Sequence, residues 1–188
     1  MSDKQEKLSY IASLVNQCQK CPLYKTANKA VTGAGDPNGK IMIIAEAPGF
    51  YEDREGIPFV GSSGKLLDQL LSSITLTRNQ VFITNILKHH PPQNRNPLPL
   101  EIKACSPFLK AQIKIIKPKI IITLGRFALN YFFTESKITQ IHGQKQQINW
   151  QGINLTIFPV YHPSAGLRSQ PMLQALQNDF LKIKSFLN

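Results

Sequence analysis

The sequence predicts an α/β protein, a three-layer α/β/α sandwich with a central four-stranded parallel sheet. Three observations predict it. Four short runs are apolar throughout rather than alternating, as strands are when both faces of their sheet are covered. Stretches with helical spacing of apolar residues lie between those runs, so strands and helices alternate along the chain. The polar and glycine-rich segments follow the ends of the runs, the edge where open parallel sheets bind ligands.

The elements are expected in this order. A first helix covers residues 3–17, where Leu8, Ile11, Ala12, Leu14 and Val15 fall near helical spacing. Cys18-Gln19-Lys20-Cys21-Pro22-Leu23 follows, then a loop whose Gly33, Gly35, Asp36, Pro37, Asn38 and Gly39 signal turns. Strands are expected at residues 40–45, 81–85, 119–124 and 154–160. A helix after Gly61-Ser62-Ser63-Gly64 carries the stripe Leu66, Leu67, Leu70 and Leu71. Further helices are expected at residues 101–116, ending before Pro118, and at 125–133 and 172–187. Right-handed crossovers would join the strands. The segments 46–64, 85–95 and 162–168 then gather at one edge of the sheet.

The totals bound the answer. With 188 residues, the chain suits one domain spanning residues 1–188, with a real core. A hydrophobic share of 42% against 18% charged excludes a disordered chain. No apolar run approaches the roughly 18–20 residues of a membrane span, and the polar Met1-Ser2-Asp3-Lys4-Gln5-Glu6-Lys7 lacks the apolar core of a signal peptide. The chain is therefore expected to be intracellular, in the cytoplasm, with no membrane partner. Lys and Arg number 22 against 11 Asp and Glu, a net charge of +11. That excess favours a polyanionic partner such as nucleic acid, although a basic surface also aids solubility.

Three cysteines cannot all pair within the chain, and a cytosolic chain keeps its thiols reduced. Cys18 and Cys21 have the two-residue separation that lets two thiolates grip one metal centre, and Cys105 lies near the start of a later helix. His89 is the best candidate for a fourth ligand, with His90 as the alternative. Thiolates and imidazole suit zinc or an iron–sulfur cluster, and the spacing leaves both open. The plainer alternative makes Cys105 an ordinary buried cysteine.

The most informative stretch is residues 45–67. Ala45-Glu46-Ala47-Pro48-Gly49 is a tight turn of small residues that exposes backbone N–H groups at a strand end. Phe59, between Pro58 and Val60, offers a flat apolar face there. A core Phe59 and a solvated acidic turn at Glu52-Asp53 are the alternative.

This stretch closely resembles the first motif of the family 4 uracil-DNA glycosylases, and the resemblance runs through nearly the whole chain. It includes Cys18-Gln19-Lys20-Cys21-Pro22-Leu23, Thr84-Asn85-Ile86-Leu87-Lys88, Pro91-Pro92-Gln93-Asn94-Arg95 and Cys105-Ser106-Pro107-Phe108-Leu109. Pro118-Lys119, Leu124-Gly125-Arg126 and Tyr161-His162-Pro163-Ser164-Ala165-Gly166-Leu167-Arg168 complete it, in the family's order. The resemblance implies a DNA repair hydrolase that flips uracil out of DNA and hydrolyses its N-glycosidic bond, leaving an abasic site. Its partner would be single- or double-stranded uracil-containing DNA, and the protein a prokaryotic monomer.

The resemblance also implies residue roles. A [4Fe-4S] cluster rather than zinc is held by Cys18, Cys21, Cys105 and His89. Phe59 stacks on the everted base, Asn85 reads its polar edge, and backbone around Glu46 and Ala47 contacts a carbonyl. Glu52 sits near C5, where it helps exclude thymine, and His162 faces O2. Glu46 is a second-tier catalytic candidate, able to position water or only to brace the turn. Ser164 and Arg168 approach DNA, and the helix start at Ser62-Ser63-Gly64 offers free N–H groups to a phosphate.

These residue types suit the chemistry. Flipping a base out of a duplex costs a few kcal/mol, and stacking on an aromatic returns ~1–3 kcal/mol. An Asn amide matches the adjacent O4 and N3–H of uracil, whereas cytosine presents the reverse pattern. A neutral imidazole N–H can stabilise the departing anion in the manner of an oxyanion hole.

The chain departs from the family's pattern at Ala45, where glycine is usual, and at His89, where the family has its third cluster cysteine. Histidine at that site is also similar to related proteins that trap the product covalently, but the basic insertion of those proteins is missing between Pro91 and Pro97. A non-catalytic, metal-stabilised DNA-binding module is the rival from another class. It would have no need of Asn85 and His162.

Overall fold

The computed structural model describes residues 3–186. Met1, Ser2 and the expected helix end at Leu187, with Asn188, lie outside the described residues. In chain order the elements are α1 (Asp3–Asn16), β1 (Ala34–Gly35), β2 (Ile41–Ala45), α2 (Phe50–Glu55), α3 (Ser62–Ser73) and β3 (Phe82–Asn85). There follow α4 (Pro99–Ile116), β4 (Ile120–Leu124), α5 (Gly125–Asn130), α6 (Ile138–Ile141), β5 (Gln146–Trp150), β6 (Ile153–Val160), α7 (Pro163–Gly166) and α8 (Gln170–Lys184).

The sheet has six strands in the order β1-β3-β2-β4-β6-β5. Its centre is the expected parallel set, with β2 paired to β3 and β4, and β4 paired to β6. The two edge strands are antiparallel additions. Neither has the apolar run that marks a doubly covered strand. β1 is two residues long, and at Gly35, with φ of 118°, a Cβ would come within 1.9 Å of the Val81 carbonyl oxygen. β5 is polar at Gln147 and Asn149 because the face they share meets solvent. Gln151 and Gly152, both at positive φ (53° and 81°), turn β5 into β6, the two-residue hairpin geometry that fits strand twist.

The period-two rule assigns the faces. Ile41, Ile43 and Ala45 of β2 join the cluster containing Leu67, Leu71, Leu176 and Phe180 of α3 and α8. Met42 and Ile44 face the other way, into a cluster with Leu8 of α1 and Leu109, Ile113 and Ile116 of α4. Helices therefore cover both sides. The register brings Ala45 beside Asn85 and Leu124 beside Val160, so the strands end together at one edge. Among the described residues, no helix is long and apolar enough to cross a membrane.

Candidate active site

At that edge lies a cavity of about 720 Å³, lined by Phe59, Asn85 and His162 together with Glu46, Ala47 and Glu52. Asn85 closes β3, His162 follows β6, and Glu46, Ala47, Glu52 and Phe59 all lie in the segment after β2. Asn85 has only 2% exposure, and its Oδ1 has no hydrogen-bond partner. Thr123 Oγ1 is the other buried side-chain atom in that condition among the described residues. A buried acceptor left unpaired costs about 1–3 kcal/mol, so the Asn85 amide stands ready for a ligand's donor.

Phe59 belongs both to the core cluster and to the cavity wall. Its φ is 58°, a left-handed conformation that a bulky residue adopts only when its surroundings impose it. Two contacts do so: the Arg78 guanidinium donates to its carbonyl at 2.8 Å, and Gly64 presses so close that a Cβ there would lie 1.8 Å from the same oxygen. The ring sits 5.8 Å from the His162 ring, the planes 31° apart. Core residue and cavity wall, posed as alternatives by the sequence, are one position here.

His162 both caps a helix and lines the cavity. It is the N-cap of α7, its Nδ1 accepting the Ser164 backbone N–H at 3.1 Å and lying 2.8 Å from Ser164 Oγ. A backbone N–H can only donate, so Nδ1 carries no proton and the neutral ring carries it on Nε2. Burial, and then the Arg168 charge, lower the pKa of the ring to about 4, against a smaller opposing pull from Glu52. The site therefore presents a neutral Nε2–H donor. Gly125, at φ of 83°, leaves room for it, since a Cβ there would come 3.1 Å from that of His162.

The acidic pair is not a solvated turn. Glu52 accepts the N–H groups of Gly49, Val60 and Gly61, each at 3.1 Å, and so ties the two ends of the segment carrying Phe59. Asp53 is buried and takes the backbone and side-chain N–H groups of Asn28. Burial raises the pKa of the Glu46 carboxyl while Arg126 pulls it back. His90 donates from Nδ1 to the Pro48 carbonyl at 2.8 Å, which commits it to the turn beside the cavity.

Ser62, Ser63, Ser164 and Arg168 also line the cavity. Gly64 does not. It is buried, and its N–H bonds the Gly61 carbonyl at 2.9 Å, so the free donor expected there is already spent. Its lack of a side chain serves the Phe59 carbonyl instead.

Cys18, Cys21 and Cys105 meet at a separate corner, in one apolar cluster with Val15, Leu23, Leu87 and Phe108. All three are free thiols. Burial pushes the Cys105 thiol up to about 11 against the pull of Lys88, and Cys21 and Cys18 act on it through space. His89, held below the ordinary imidazole value by burial, shares a smaller cavity of about 160 Å³ with Cys18 and is absent from the wall of the large one. Soft sulfur donors and a neutral imidazole fit an iron–sulfur cluster chemically. Among the described residues, no group of three or more His, Cys, Asp or Glu is close enough to hold a single metal ion.

A family model described as the uracil DNA glycosylase superfamily matches residues 32–184. The chain belongs to that superfamily. It is 46% identical to a type-4 uracil-DNA glycosylase of Saccharolobus solfataricus, over 97% of this chain and 88% of the relative. The type-4 enzyme of Archaeoglobus fulgidus is 38% identical over 95% and 92% of the two chains, and that of Thermotoga maritima 37% over 100% and 98%. The chain is thus a type-4 member.

Several cavity residues of this superfamily member have no role in the sequence reading, Phe50, Tyr51, Arg95 and Arg126 among them. Arg126 follows the end of β4, and Arg95 lies in the loop after β3; both line the cavity. Arg95 forms a two-pronged pair with buried Glu101 at 2.5 and 2.9 Å, and Glu101 also accepts the Leu98 N–H at the start of α4. The strand-end rule could have found Arg126. Both arginines stand inside motifs of the resemblance without a role of their own, and Glu101, the partner of Arg95, carries no sequence signal.

Proposed function

We propose that this protein is a uracil-DNA glycosylase that hydrolyses the N-glycosidic bond of an everted deoxyuridine, giving free uracil and an abasic site. The observation that carries the reading is the buried, unpartnered Oδ1 of Asn85 in the cavity that also holds Phe59 and a neutral His162. Uracil donates N3–H to that oxygen and accepts at O4 from the same amide. Phe59 supplies the stacking face. As the C1′–N1 bond breaks, its electron pair passes to the base, and the Nε2–H of His162 donates to O2 where the charge collects. Water then bonds to C1′, and Glu46, made more basic by burial, orients it and takes its proton. Ala47 backbone completes the carbonyl contacts. Glu52 acts by fixing the Phe59 segment, beside the C5 edge. Ser62, Ser63, Ser164 and Arg168 hold the DNA strand.

Cys18, Cys21, Cys105 and His89 would hold a [4Fe-4S] cluster, whose contribution is to tie the chain between α1 and β1 to α4. Turnover rather than covalent trapping is supported by the position of His89, off the wall of the base cavity. We read residues 1–188 as one domain acting as a monomer in the cytoplasm.

The test is uracil release from a uracil-containing oligonucleotide by wild type, Asn85→Ala and His162→Ala, with iron and sulfide measured in an anaerobic preparation. Release by wild type, strongly reduced in both variants, supports the reading. Equal rates would overturn the roles assigned here, and a DNA–protein adduct seen by mass spectrometry would replace hydrolysis with trapping.

A further inference from the structure

Phe50 and Tyr51 form the first turn of α2 and are 53% and 60% exposed, yet both line the cavity that holds Phe59 and Asn85. Their rings stand 5.5 Å apart in an edge-to-face arrangement at 81°. The Tyr51 ring also lies against Gly61, where a side-chain carbon would come 3.4 Å from its Cδ2. The Arg54 guanidinium sits 5.8 Å from the centre of the Phe50 ring. Beneath them the helix is pinned, Glu52 by three backbone N–H groups and Asp53 by Asn28. Two large aromatics are therefore held out into solvent by a rigid base, at the mouth of the cavity rather than elsewhere on the surface.

Everting one nucleotide strips its neighbours of a stacking face. A strand that delivers a base to Phe59 must cross the cavity mouth, so an adjacent base passes within reach of these rings. Every base has a π-face, so such a contact is favourable whatever the sequence. Arg54 adds positive charge where the strand would run, in a chain whose net charge is +11.

We infer that Phe50 and Tyr51 form a second nucleobase subsite, stacking a base that neighbours the everted uracil on the same strand. The inference rests on reading the cavity as the uracil site. It makes single strands, whose bases are free to rotate onto the rings, good substrates.

The test uses single-stranded oligonucleotides carrying one uracil, with the neighbouring nucleotide intact or lacking its base on the 5′ or the 3′ side. For wild type, removing the base on one side raises KM about tenfold, one decade for about 1.4 kcal/mol. The variant F50A/Y51A shows that raised KM already on the intact strand and loses nothing more when the base is removed. Phe50→Trp, which keeps a stacking face, retains the wild-type response. Wild-type KM values equal on all three strands would overturn the subsite while leaving the uracil site intact, as would a variant as sensitive to base removal as wild type. No uracil release from any strand would refute the uracil site itself and this inference with it.

Discussion

The base cavity and the cysteine corner are organised to different degrees. Around the cavity, each functional side chain is aimed by hydrogen bonds that involve the backbone. Glu52 gathers three N–H groups, Ser164 orients His162, Arg78 holds the Phe59 carbonyl, and sheet register sets Asn85 beside Ala45. The corner relies on apolar packing around three thiols, with single backbone bonds from Leu23 to Cys21 and from Lys88 to Cys105. Groups that must meet a transition state are preorganised, whereas metal-binding thiols can gain their final order from what they bind. The Arg95–Glu101 pair connects the regions, joining a cavity wall residue to the helix that carries Cys105.

Four outcomes sharpen that contrast. His162→Ala should slow uracil release about 10²–10³-fold, the usual loss when one preorganised donor to a developing anion is removed. That is measured at saturating DNA, with near-ultraviolet dichroism checking that the fold is retained. Cys105→Ala should abolish iron binding and expose the chain before β1 to proteases, yet leave single-turnover release within about tenfold of wild type. A loss as large as that of His162→Ala would mean that the corner also aims the cavity.

Glu52→Ala removes the anionic acceptor of three N–H groups, a change worth about 2 kcal/mol. The melting temperature should fall by roughly 4–8 °C, and KM should rise as the Phe59 segment loosens. A melting temperature equal to wild type would show that the staple carries no stability.

The smallest effect is on pH. His162 protonates near 4 in the folded chain against an ordinary 6.5. The unfolded chain binds more protons between those values, so this group lowers stability as pH falls through that window and is silent above it. Release should therefore be level with respect to His162 from about pH 6 to 8. A rate that climbs on acidification toward pH 6 would mean that the imidazolium is the working form.

The central sheet and the candidate residues were legible because each leaves a local mark. Ile41 to Ala45 is apolar on both faces, and the motifs around Phe59, Asn85 and His162 stand in order along the chain. The edge strands left less. β5 alternates weakly, and β1 is too short to show any pattern. Arg126 leaves no local mark because Glu46, on which it acts, lies far away in the chain, and Glu101, though close to Arg95, reads as an ordinary acid in the first turn of α4; the role of Gly64 is hidden because the carbonyl it accommodates comes against it only on folding.

The sequence by itself determined the fold class, the family and the residue types that meet at the strand ends. Those follow from periodicity and from the order of motifs, which need no coordinates. Only the tertiary structure decided which way each side chain is used. The tautomer of His162, the three bonds of Glu52, the unpaired oxygen of Asn85 and the aromatic mouth at Phe50 and Tyr51 depend on distances, ring angles and burial, which are set only once the chain is folded.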